Sequence, residues 1–182
     1  MTERWWILVA LLPVTAHAGE FGSGGHLEGS MDYRHSIKQD MGGFSFGVAV
    51  GGHVGRFGMQ YRSVFWQDHL FKEAERQVVR NTNFIDVRVG LFASDSTRLW
   101  LEVGPGLGWL RAAGGPPPPG SRKMSFAVQE SLALEFGSFD EDFAGGFVVR
   151  AGAQQHFQES IVPGPEVSVQ IGLGMFFGPA AR

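Results

Sequence analysis

The chain has 182 residues, a formal charge of −3 and no cysteine. It therefore lacks disulfide staples and the thiol that bacterial lipoproteins acylate, and its slightly acidic balance argues against nucleic acid as a partner. Charged residues make up 18% of the chain, against about 25% in ordinary soluble domains, and the only lysines are Lys38, Lys72 and Lys123, whereas an exposed soluble sheet normally shields itself with lysine and other charges.

Residues 1–18 read as a signal peptide. Arg4 supplies the charged start, Trp5 to Pro13 the apolar core, and Ala16-His17-Ala18 the small-x-small cleavage pattern. The apolar run is shorter than the roughly 20 residues of a spanning helix. Cleavage would leave one domain, residues 19–182, and no later apolar run approaches spanning length. Two architectures remain: a soluble exported domain or a closed barrel.

Eight segments alternate with the period of a strand. The first, about His26 to His35, sets Leu27, Met31 and Tyr33 against Glu28, Asp32 and Arg34. The second, Gly42 to Gly51, sets Phe44, Phe46, Val48 and Val50 against small residues, and Gly51-Gly52-His53 reads as a tight turn. The third, Gly55 to Trp66, opposes Phe57, Met59, Tyr61 and Phe65 to Gln60 and Arg62. The fourth, Asn83 to Ala93, opposes Ile85, Val87, Val89 and Leu91 to Asp86 and Arg88. After Ser94-Asp95-Ser96 the fifth, Arg98 to Leu110, opposes Leu99, Leu101, Val103, Leu107 and Trp109 to Glu102 and glycines. Pro105 on its apolar face predicts a bulge or a missing hydrogen bond between Gly104 and Gly106.

The sixth, Lys123 to Phe136, places Met124, Phe126, Val128, Leu132, Leu134 and Phe136 opposite Ser125, Gln129, Ser131 and Glu135. Glu130 breaks the pattern. A bulge at Gln129 and Glu130 would turn it inward, and the functional alternative is a polar site facing a partner. The seventh, Phe143 to His156, opposes Phe143, Phe147, Val149, Ala151 and Ala153 to Val148, Arg150 and Gln154. The eighth, Val167 to Phe177, has six apolar residues on one face and Ser168, Gln170, Gly172 and Gly174 on the other.

Connections alternate between short and long, with the first, Ser36 to Met41, short for its side. Short periplasmic turns and longer outer loops characterise outer-membrane barrels, which would put Pro116 to Pro119 in an external loop as polyproline II. The polar face carries Glu28, Asp32, Asp86 and Glu102 with Arg34, Arg62, Arg88 and Arg150. Equal numbers of opposite charges on glycine-rich walls suit a plugged interior in which enclosed charges find partners. A hairpin centred near Asp95 would bring Arg88 opposite Glu102.

On its signal, its eight alternating strands, its loop asymmetry and an aromatic-rich last strand ending Phe176-Phe177, the chain resembles the eight-stranded outer-membrane barrels of the OmpA and OmpX type over about Leu27 to Phe177. Such barrels commonly finish on an aromatic residue, whereas Gly178 to Arg182 follow here. The resemblance implies an all-β, up-and-down transmembrane barrel in a Gram-negative outer membrane, bathed by outer-membrane lipid and inserted by the barrel assembly machinery. With a packed polar interior it is expected to be a monomer with an envelope structural or surface-interaction role. It is too narrow for a general diffusion pore.

Two other readings carry chemistry. Barrels resembling lipid A deacylases and palmitoyltransferases place Ser, His and a carboxylate at the outer rim, for which His156, Glu159 and Ser160 are the candidates, although the His-x-Ser strand motif of the deacylases is missing. A soluble lipocalin-like barrel would instead turn the apolar face inward around a ligand. His26, His35, His53, His69 and His156 show no metal-site spacing, and no cofactor is implied.

Overall fold

The computed structural model describes residues 21–37, 41–68, 77–113, 124–140, 142–157 and 166–181. The signal-peptide assignment, the polyproline segment, Glu159 and Ser160 lie outside them. Eight antiparallel strands close into one barrel in chain order: β1 (Ser23–Ser36), β2 (Met41–Val54), β3 (Phe57–Asp68), β4 (Gln77–Ala93), β5 (Thr97–Ala113), β6 (Met124–Phe139), β7 (Phe143–Phe157) and β8 (Glu166–Ala181). Two or three residues connect the strands at one end and four to ten at the other.

The register determines the shape of the barrel. From Glu28 the ladder pairs run through Ala49, Arg62, Phe84, Gly106 and Ala127 to His156 and Glu166. Glu28 itself closes onto Phe176, ten residues further along β8. With ordinary strand spacing that stagger tilts the strands by about 40° and gives a wall radius of about 8 Å. The lumen is therefore only side chains wide.

The wall is inside-out relative to a soluble protein. Phe46, Ile171 and Leu173 are 60% exposed or more, whereas Glu102, Arg62 and Arg150 are at most 2% exposed. Aromatic residues mark both rims of the outer face: Phe44, Phe65, Trp109 and Phe126 toward the long connections, Phe57, Phe136, Phe147 and Phe177 toward the short ones. This is the apolar band with aromatic girdles of a lipid-embedded barrel.

Several strand ends differ from the sequence reading. β4 starts six residues earlier than expected, and β8 continues to Ala181, pairing with Ser23. Past the apolar band, in Gln77 to Thr82 of β4 and Gly178 to Ala181 of β8, alternation fades while the hydrogen-bonded ladder continues. Gly51, Gly52 and His53 form no turn. They remain in β2, and the turn falls at Gly55, whose φ of 57° suits glycine. Gly55 N also donates to Gly22 O at 2.7 Å.

Pro105 makes no bulge. Its pairing with β6 is continuous, but the ladder to β4 is interrupted beside Ile85 and Asp86, the missing hydrogen bond expected of a residue without a donor, with the same register on either side. The irregularity in that hairpin lies instead between Gly90 and Phe92. Nor does a bulge turn Glu130 inward. It pairs in unbroken register with Val103 and Ala153, so it shares the outward face of Val128 and Leu132. A bulge there would have broken two ladders at once.

An aromatic cluster seals the end with the short connections. Phe21, just before β1, meets Trp100 edge-on at 4.7 Å, and Phe139 stacks on Phe176 at 5.7 Å, with Val148, Ala93, Ala133 and Ala144 completing the layer. Gly90 makes room for it, because a β-carbon there would run into the Phe21 ring. Gly90→Val should therefore lower the unfolding free energy by about 1–3 kcal/mol. In urea titrations of the barrel refolded in lipid vesicles, most of that loss should vanish in a Phe21→Ala background.

Candidate functional site

Alternation along each strand sends every second side chain into the lumen, and those side chains build three layers above one another. Next to the aromatic seal lies an ionic layer centred on Glu102 of β5. Arg150 of β7 bridges two carboxylates, meeting Glu28 at 2.7 and 2.9 Å and Glu102 at 2.9 and 3.2 Å. Arg62 of β3 spans the same pair from the other side at 3.4 Å each and approaches Asp86 at 3.6 Å. Arg88 Nε lies 3.1 Å from Glu102, the contact expected from the hairpin register.

Glu102 thus faces three guanidiniums. Six of the eight strands contribute a charge to this layer, Glu135 of β6 being the sixth strand's.

Neutral groups add hydrogen bonds to the carboxylates. Gln60 and Gln129 donate to Asp86 at 3.1 and 2.6 Å, Ser131 donates to Glu102 at 3.0 Å, and His26 donates to Gln60 at 3.0 Å. Arg88 reaches Glu135 at 2.5 Å and lies 4.5 Å over the Trp100 ring, whose indole N–H donates to the same carboxylate at 2.9 Å. Glycine makes the crowding possible. A β-carbon at Gly104 would overlap the Asp86 side chain.

Toward the long connections the lumen holds Arg34 and Arg80. Arg34 donates to Ser45 at 2.8 Å and to Gln154, which in turn donates to Gln129 at 3.0 Å. Arg80 stacks over Trp66 at 4.6 Å, and Ser125 Oγ lies 3.4 Å from His156 Nδ1. Asp32 is buried at this level. The eight charged residues singled out in the sequence are all at most 2% exposed, and all but Asp32 and Arg34 meet in the ionic layer.

Sequence reasoning missed Glu135, Arg80 and Arg98 as charged members of the lumen. Among the described residues the buried charges are five carboxylates and six arginines. Glu135 stood on the polar face but had no legible partner. Arg80 lay in a stretch read as loop, and Arg98, which stacks 4.0 Å over Phe139, sat at a strand boundary. His156 is fully buried and points into the lumen, away from the acyl chains that a lipid-modifying site must reach. Among the described residues no group of three metal-ligating side chains converges.

A closed eight-stranded wall, apolar outside and ionic along its axis, defines the fold of a bacterial outer-membrane β-barrel. No protein-family model and no curated protein sequence matches the chain. Among solved structures it is similar to Neisserial surface protein A, at 10% identity and a TM-score of 0.66, with 87% of this chain and 97% of that one covered. It is also similar to the outer membrane protein OprG from Pseudomonas aeruginosa, at 8% identity and a TM-score of 0.52, covering 91% and 99%. At such identities the likeness is one of fold.

Glu102 is the carboxylate that three guanidiniums share. Glu102→Gln keeps the volume but leaves three guanidiniums short of their shared counter-charge, and should destabilise the folded barrel by about 3–5 kcal/mol. Urea titration in vesicles, read by the gel shift between folded and unfolded forms, measures it. Asp140→Asn at an exposed turn should stay within about 0.5 kcal/mol of the parent.

Proposed function

We propose that this protein is an outer-membrane barrel without a pore, serving an envelope structural or surface-interaction role through the longer connections on the end away from its termini. The observation that carries this reading is the lumen itself. Within a wall of about 8 Å radius, the Glu28, Arg62, Glu102 and Arg150 cluster lies between the aromatic seal and the large buried side chains Trp66, Phe84 and His156. A path for solutes would require breaking charge pairs that hold one another out of water.

The rigid wall is the scaffold, and any recognition falls to the loops it presents. Outer-membrane lipid is the solvent of the outward face, and insertion follows the barrel assembly route. The likeness to Neisserial surface protein A in fold supports the architecture, and the packed interior supports the absence of transport.

Full-length protein reconstituted in planar lipid bilayers should give no stepwise conductance. Long-lived, regular openings of the parent protein would overturn the reading.

A further inference from the structure

Glu130 occupies the position on the wall least suited to a carboxyl group. On the outward face of β6 it is preceded by Met124, Phe126 and Val128 and followed by Leu132, Leu134 and Phe136. It therefore sits close to the middle of the apolar band, between two aromatic girdles. Among the described side chains it is the one charge on the outward face of a strand, and it makes no hydrogen bond or ion pair with any described residue. Acyl chains offer no donor at that depth, and Gln155, its polar neighbour on the same face of β7, makes no hydrogen bond with it, so a donor from a second protein would satisfy it.

The chain carries matching donors elsewhere on its own outer wall. On β3 and β4, Tyr61 donates to Asn83 Oδ1 at 2.6 Å and Ser63 donates to Asn81 Oδ1 at 3.4 Å. Both carboxamide oxygens are thereby occupied, leaving the amide N–H groups as donors on an outward face otherwise made of Phe65, Ile85 and Val87.

The register puts the two patches at similar depth. The row from Asn83 passes through Leu107 to Phe126. Crossing two tilted strands raises it by about 6 Å, and stepping four residues down β6 to Glu130 lowers it by about 10 Å. The groups therefore differ in depth by about 4 Å, within side-chain reach, while standing roughly a third of the way round the wall from each other.

We propose that copies of this chain associate side by side in the membrane, the β6 face of one seating Glu130 against the Asn83 amide of the next. The carboxyl oxygens accept from the amide N–H groups. Ala151 and Ala153 on β7 flank Glu130 and let the neighbouring wall approach closely. Because the accepting and donating faces differ, the contact is head-to-tail, and a joined pair keeps one free face of each kind, so assembly proceeds to rings or rows. This replaces the monomer expected from sequence, and it stands independently of the surface role proposed above.

The absence of native cysteine gives a clean background for cross-linking. Leu132→Cys on β6 and Ile85→Cys on β4 lie one outward position below Glu130 and Asn83 respectively. The two single-cysteine chains, refolded together in phosphatidylethanolamine and phosphatidylglycerol vesicles at low protein density and oxidised, should form the mixed 85–132 dimer in preference to either symmetric one. Adding Glu130→Leu, with folding confirmed by gel shift, should lower its yield about tenfold, as expected for losing a hydrogen bond in lipid. Glu130→Gln, which keeps an acceptor oxygen, should restore most of it. Symmetric dimers alone, no cross-link, cross-linking only to another protein in native membranes, or a yield indifferent to Glu130 would each overturn the proposal.

Discussion

In hydrocarbon every peptide N–H and C=O needs a partner within the protein, since each one left open costs several kcal/mol. For a chain built of strands this leaves closure as the only solution, and closure of eight strands with a ten-residue stagger leaves a lumen one side chain deep from each wall. The glycines that admit Asp86 and Phe21, the ionic layer and the aromatic seal all answer to that narrow bore. The outer face answers to the other side of the same constraint, because whatever the wall shows there is solvated by acyl chains.

The ionic layer is best understood as an interlocked set and not as a sum of separate pairs. Burying a charge costs several kcal/mol, and a buried pair often does no better than break even. Here Arg150 and Arg62 each span Glu28 and Glu102, so removing one member leaves several others unmatched. The set favours one register of the sheet. A slip of a single residue would send these side chains into lipid.

Much of this was legible in the sequence because the two sides of the wall face such different surroundings. Leu101 beside Glu102, or Ile171 between Gln170 and Gly172, can occupy only one parity, and the faces of all eight strands followed from that. What failed were local rules applied without the ladder. Gly51 and Gly52 look like a turn, but they are strand residues packed against the backbones of β3 and β1. Glu130 looked like the mark of a bulge, because a carboxyl facing lipid violates the pattern. Only the pairing of β6 on both sides shows that the violation stands. Within the lumen, parity identified the faces but not the partners. Glu135 reaches Arg88 and Trp100 through a stagger no single strand reveals, and Phe21 belongs to a segment with no alternation at all.

The extension of β8 to Ala181, where it pairs with Ser23, bears on when this molecule can fold. β1 and β8 pair from Ser23 to Ser36 with a break at Gly25 and His26, so the final ladder cannot be zipped until β8 itself has been made. Until then β1 and β8 are unpaired edges, open to sticking to other nascent chains. Closure therefore waits on a contact between the two strands farthest apart in the sequence, the slowest kind to form.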